Sequence, residues 1–126
     1  MIASPLRVLM AEDEVLAAEV LEEGLTDAGF QVLPAHDGEA ALALVTAGAG
    51  FDILLTDLRM PRLDGRELIA RLRARRPDLP VVVMTGYPPG ADSASLHDGS
   101  GPFELLTKPI ELDRLVDTLR MVAGLI

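Results

Sequence analysis

The stretch FDILLTDLRMP, Phe51 to Pro61, runs apolar from Ile53 to Leu55, ends in a carboxylate at Asp57, and meets a proline four residues later at Pro61. A short apolar run bounded this way reads as a strand, Ile53 to Thr56, buried on both faces. Pro61 prevents regular structure from continuing. A carboxylate at the end of a core strand is unfavourable unless neighbouring groups use it. What Asp57 does therefore depends on what stands at the ends of the other strands.

Outward from this strand, short apolar runs alternate with helical patterns. Leu6 to Ala11 reads as a first strand, followed by a helix over Val15 to Ala28 with Ala18, Leu21, Leu25 and Ala28 along one stripe. Gly29 ends it. Gln31 to Ala35 is a short second strand, and Asp37-Gly38-Glu39 opens a helix carrying Ala41, Leu44 and Val45, which Gly48 stops. After the third strand, Asp64-Gly65-Arg66-Glu67 has the form of a capping box, with Asp64 accepting from the backbone near Glu67 and Glu67 reaching back. The helix beyond it presents Leu68, Ile69 and Leu72, and Pro77 marks its end. Pro80 to Thr85 is the fourth strand and Phe103 to Thr107 the fifth. A last helix follows Pro109, with Leu112, Leu115, Val116, Leu119 and Val122 on one face. Strands that are apolar throughout, alternating with helices, imply a parallel sheet covered on both sides. The expected fold is α/β: a flavodoxin-like three-layer sandwich around five parallel strands in the order 2-1-3-4-5. One segment breaks the rhythm. Gly86 to Pro102, GYPPGADSASLHDGSGP, holds where a further helix belongs only a short or disordered one.

The chain has 126 residues, which suits a single domain over 1–126. Apolar residues make up 49% and aromatics only 3%, so aliphatic side chains must fill the core. There is no cysteine, which excludes disulfides and thiolate metal sites. A net charge of -9 repels phosphate backbones, so direct nucleic-acid binding is not expected. The dense basic cluster, Arg66, Arg71, Arg73, Arg75 and Arg76, reads as the solvated outer face of one helix. No basic segment followed by a long apolar stretch marks a signal peptide, and no run nears the ~18 residues that span a bilayer. No membrane association and a cytoplasmic setting are expected.

Ligands of an open parallel sheet bind beyond the carboxyl ends of its strands. There the sequence places Glu12, Asp13 and Glu14, then Asp57, then Thr85 and Gly86, then Thr107, Lys108 and Pro109. Carboxylates of Glu12, Asp13 and Asp57 would repel one another, and a hard cation relieves that repulsion. Mg²⁺ takes one or two carboxylates and keeps waters, leaving room for a phosphate oxygen. Thr85 offers a hydroxyl and Lys108 a compact positive charge. Together they describe a site that holds a phosphoryl group on an oxygen nucleophile, and Asp57 is the best nucleophile.

MAEDE after the first strand, TDLRMPRLDG after the third, MTG after the fourth and LTKPI after the fifth resemble the receiver domain of bacterial two-component response regulators, from about Leu6 to Leu119. The resemblance implies that Asp57 accepts a phosphoryl group from a sensor histidine kinase or a histidine phosphotransfer protein. It implies Asp13 as a direct Mg²⁺ ligand, Glu12 acting through water, and the Arg59 backbone carbonyl as a further ligand. Thr85 would bind a phosphoryl oxygen and Lys108 would pair with the phosphate, with a cis bond to Pro109. The side chains of Arg59 and Tyr87 would tune the lifetime of the phosphate.

The sequence departs from that family at the position three residues before the lysine. An aromatic switch residue is usual there, and Leu105 stands in its place. Phe103 is expected on the other face of the strand. With Thr85-Gly86-Tyr87 and the weak segment after it, this resembles the atypical FATGUY receivers, although Val83 and Met84 replace the eponymous Phe and Ala. Phosphorylation is expected to order Gly86 to Pro102. Asp37 and Asp64 read as helix caps, Asp52 as a surface residue at a strand start, Glu14 as an aid to helix initiation, and His36 and His97 as solvent-facing. The alternatives are a pseudo-receiver interaction module and an aspartate-nucleophile phosphohydrolase. The latter wants a second Asp two residues after the nucleophile, where Arg59 stands. A flavodoxin-like nucleotide carrier is disfavoured by the acids after the first strand. Whether an effector domain or a homodimer completes the protein is left open.

Overall fold

The computed structural model describes residues 5–86 and 101–125. The elements run β1 (Arg7–Ala11), α1 (Val15–Asp27), β2 (Gln31–Ala35), α2 (Gly38–Thr46), β3 (Ile53–Asp57), α3 (Gly65–Arg75), β4 (Val81–Thr85), β5 (Phe103–Thr107) and α4 (Leu112–Val122). All strands lie in one sheet, ordered β2-β1-β3-β4-β5, and every neighbouring pair is parallel. This is the expected flavodoxin-like sandwich. The short or disordered helix expected between β4 and β5 falls largely outside the described residues, as do Tyr87 and His97.

The period of two along each strand divides the core. Leu9, Leu54, Val81 and Val83 point to one face, where Ala41 of α2 and Leu68, Ile69 and Leu72 of α3 cover them. Val8, Met10, Ile53, Leu55, Val82 and Met84 point to the other, under Leu25 of α1 and Leu115, Val116 and Leu119 of α4. Both faces of β3 and β4 are buried at every position, which is why these strands show no polar alternation. Pro34 is tolerated in β2 because that strand is at the sheet edge.

The helix boundaries follow local chemistry. Asp37 Oδ1 accepts from Ala40 N–H at 2.7 Å to cap α2, and Asp64 Oδ1 accepts from Glu67 N–H at 2.9 Å to cap α3. The return half of the expected capping box is replaced: the Glu67 carboxylate pairs with Arg71, one turn on. The Glu14 side chain makes no capping bond to α1. Gly29 and Gly48, at φ +101° and +93°, end α1 and α2 in the left-handed region. In each case the last turn is closed by paired bonds, Phe30 N–H to Leu25 O and Ala49 N–H to Leu44 O at 3.0 Å.

Two expectations need correction. Arg73 is not on a solvated face: it is 5% exposed, and its Nη2 donates to Leu79 O at 3.1 Å and Pro102 O at 2.9 Å. A guanidinium carries enough donors to satisfy carbonyls of two chain segments at once. Arg76 is also engaged, donating to Phe51 O at 2.8 Å and lying over the Phe51 ring. Phe103, in turn, shares a face with Leu105. Both pack on the α2–α3 side, as residues two apart on a strand must. The ring therefore lies on the switch side of β5, one step nearer its N-terminal end.

Candidate functional site: a carboxylate cluster at the sheet's C-terminal end

Asp57 ends the central strand. Its backbone is held from several sides: Thr56 Oγ1 donates to Asp57 O at 2.8 Å, and Leu58 N–H donates to Met84 O of β4 at 3.0 Å. The start of α3 packs directly on it, because a Cβ built at Gly65 would lie 2.2 Å from Asp57 O. Glu12 leaves the neighbouring strand β1 and is held by its own N–H donating to Ala35 O at 3.0 Å. One Glu12 carboxylate oxygen accepts from Glu14 N–H at 3.1 Å. Glu14 thus aids the turn into α1 through its backbone.

Lys108 follows β5. Its N–H donates to Thr85 O at 2.7 Å, and its peptide bond to Pro109 is cis. The amine Nζ reaches back across β4 to lie 2.8 Å from Asp57 Oδ1 and 3.2 Å from Glu12 Oε1. Glu12, Asp13 and Asp57 each offer a carboxylate oxygen, and these three oxygens lie within 4.8 Å of one another. Glu12 and Asp57 are buried and Asp13 is exposed at the rim. Thr85, also buried, ends β4 beside them, opposite Thr107. Arg59 lies two residues beyond Asp57 with its side chain exposed.

The electrostatics follow from crowding acids in a dry place. Burial, and then the Glu12 carboxyl, push Asp57 up to about 7, against the opposing pull of Lys108. Burial also acts to raise Glu12. Hydrogen bonds with Asp57, Glu14 N–H and Lys108 outweigh it, and its carboxyl ends below the usual range. Burial works against the charge on Lys108, but Asp57 and Glu12 overcome it and raise the amine. Crowded carboxylates whose charges repel one another suit a hard cation. Three convergent carboxylate oxygens, one at the solvent rim, fit Mg²⁺ chemistry.

The sequence of the response regulator receiver domain family matches over residues 8–120. The chain belongs to that family. It is 37% identical over 120 residues to the transcriptional regulatory protein TcrA of Mycobacterium tuberculosis, covering 95% of this chain and 47% of that protein. It is 34% identical over 115 residues to the response regulator MprA of Mycobacterium avium, covering 91% of this chain and 50% of that one. The receiver domain therefore spans about half the length of these curated relatives. Among solved structures, a response regulator receiver protein from Sinorhizobium medicae superposes with a TM-score of 0.85 at 27% identity, covering 95% of each chain.

Of the residues flagged in the sequence, Glu12, Asp13, Asp57 and Lys108 come together at the ends of β1, β3 and β5, with Thr85 at the end of β4 between them. His36 is exposed, with Nε2 3.6 Å from Asp37. Asp52 forms a surface pair with Arg7 at 3.2 Å. Two further contributors carry little sequence signal. Gly65 is marked only as part of a capping pattern, yet it sets how closely α3 approaches Asp57. Arg62 looks like any loop arginine, but its guanidinium binds the buried carboxylate of Asp37. Among the described residues no helix is long and apolar enough to cross a membrane.

Proposed function

We propose that this chain is a single receiver domain that takes a phosphoryl group onto Asp57 from the phosphohistidine of a sensor histidine kinase or a phosphotransfer protein. The phosphorus–nitrogen bond of the donor breaks, a phosphorus–oxygen bond to Asp57 forms, and the donor leaves as free imidazole. The observation that carries this reading is the 2.8 Å approach of Lys108 Nζ to Asp57 Oδ1 inside a cluster of three acids. Lys108 favours the ionised, attacking form of Asp57 and stands ready for charge on the incoming group. Thr85 would donate its hydroxyl to a phosphoryl oxygen. Glu12, Asp13, Asp57 and the Arg59 carbonyl are the groups that would hold Mg²⁺, which supplies positive charge for the phosphoryl oxygens when bound.

The donor's approach is marked by an open groove of about 560 Å³ that shares Glu12 and Lys108 with the site and is walled by Leu16 and Val20 of α1. Leu16 and Val20 are 73% and 69% exposed and stand one turn apart on α1, so they form an apolar strip along that groove. A docking donor would cover them. The protein is modified on itself, as a signalling acceptor, rather than turning over a substrate.

The test is direct. With Mg²⁺ and acetyl phosphate or phosphoramidate, intact mass should rise by one phosphoryl group, and Asp57→Asn should abolish the gain. A protein that gains no mass from any phosphodonor is an interaction module, and the reading fails.

A further inference from the structure

The loop after Asp57 carries Arg59 and returns to α3 at Gly65. Both ends are pinned by backbone, through Leu58 N–H to Met84 O at 3.0 Å and Gly65 N–H to Leu58 O at 2.9 Å. Its middle is a tight turn, closed by Leu63 N–H donating to Pro61 O at 2.9 Å and tied down by a side chain. Arg62 adopts φ 68°, a left-handed conformation that residues with a Cβ rarely take. From there its Nε donates to Asp37 Oδ2 at 3.0 Å, and its Nη2 donates to the same oxygen. Asp37 is 2% exposed, and its other oxygen is committed to the α2 cap at Ala40 N–H. A buried carboxylate with both oxygens engaged is a firm anchor.

The anchor is itself tied to the acid cluster. Asp37 lies two residues beyond Ala35, whose carbonyl accepts from Glu12 N–H at 3.0 Å. Between them, Gly38 lets the turn and the loop touch, because a Cβ there would meet Leu63 O at 2.2 Å. The Arg62–Asp37 ion pair, with Arg62 Nε also 3.7 Å from Glu39 Oε2 on α2, therefore joins the loop that follows Asp57 to the turn that supports Glu12. The backbone bond from Leu63 N–H to Pro61 O closes a tight turn in which the central Arg62 takes φ 68°, and the side-chain bond to Asp37 is what ties that turn to the start of α2.

We propose that Arg62 is a positioning residue: its ion pair with Asp37 presets the loop bearing the Arg59 carbonyl, and with it the Asp57 carboxylate, for a divalent cation. This rests on the cation reading given above. Outer partners of metal ligands act in this way, by fixing the geometry of groups they do not replace.

The test is a Mg²⁺ titration of the unphosphorylated chain by calorimetry, with urea unfolding in EDTA run in parallel. Arg62→Gly frees the backbone of its strained conformation and removes the tie, so it should stay folded yet bind Mg²⁺ about tenfold more weakly, the low end for such outer partners. Arg62→Lys should recover part of the affinity. Asp37→Asn, which still offers an oxygen to Ala40 N–H, should weaken Mg²⁺ binding as Arg62→Gly does, and combining the two should cost no further affinity. If wild type binds Mg²⁺ and Arg62→Gly binds it equally well, the positioning role is overturned while the cation site stands. If the two substitutions act independently, the pairing is overturned. Should wild type itself bind no Mg²⁺, the cation reading fails and this inference fails with it.

Discussion

Gly65→Ala tests whether the seat of Asp57 is as tight as the geometry says. A Cβ at position 65 would lie 2.2 Å from Asp57 O, 3.1 Å from Leu58 Cα and 3.2 Å from Asp57 C. The closest of these is short of ordinary van der Waals contact by about 1 Å. All three atoms are backbone, so no flexible side chain can swing away. Either α3 backs off or the end of β3 moves, and overpacking of this kind costs about 1–3 kcal/mol. Movement of about 1 Å at a reacting group lowers rate by roughly 100-fold. The expected result is a urea midpoint lowered by that stability loss, and a phosphorylation rate by phosphoramidate, at saturating Mg²⁺ and corrected for folded protein, lowered by roughly two orders of magnitude. Gly48→Ala is the control. Its Cβ meets nothing within 4 Å, but φ is +93°. It should lose about 1–2 kcal/mol of stability from backbone strain and keep the full rate. If Gly65→Ala reacts as fast as Gly48→Ala, the contact does not position the nucleophile.

Arg73→Met should lose about 2 kcal/mol in urea unfolding, since two charge-assisted bonds to Leu79 O and Pro102 O go, partly offset by no longer burying a charge. Exposed Arg75→Met should change stability by less than about 0.5 kcal/mol, and equal losses would contradict the buried placement of Arg73. For Asp37, the Ala40 N–H bond and then the Arg62 guanidinium hold the carboxyl below its usual range. A carboxyl lowered in the folded state contributes its full stability above the unfolded value of ~3.9 and loses it as pH falls through the folded value. Asn keeps the cap, so the stability gap between wild type and Asp37→Asn at pH 7 reflects the ion pair with the half-exposed Arg62, at most about 1 kcal/mol; it should close in acid, and a gap constant across pH would show that the charge is not what matters.

Much of the architecture is legible in residue order because it is driven by local patterns. The doubly apolar runs at Ile53–Leu55 and Val81–Val83 can be satisfied only between two helical layers, and Gly29, Gly48, Asp37 and Asp64 end or begin helices through bonds to their immediate neighbours. The acids after β1 and β3 and the lysine after β5 stand out for the same reason: each is a charged residue where an apolar strand stops. Phe103 shows a limit of a different kind. Its face follows from counting along the strand, and the count puts it with Leu105.

What the linear chain could determine was therefore the alternation of strand and helix, the strand ends, and the set of groups available for phosphoryl chemistry. The tertiary structure alone decided the partners of the loop and helix arginines. Arg62 and Arg73 look as solvated as any arginine in sequence, yet one clamps a buried aspartate 25 residues away and the other reaches a carbonyl 29 residues away. The closeness of Gly65 to Asp57 likewise depends on how α3 is laid against the end of β3. Hydrophobic patterning is periodic and short-ranged, so it can be read along the chain. Pairing of charges across loops depends on distances that exist only once the layers have packed.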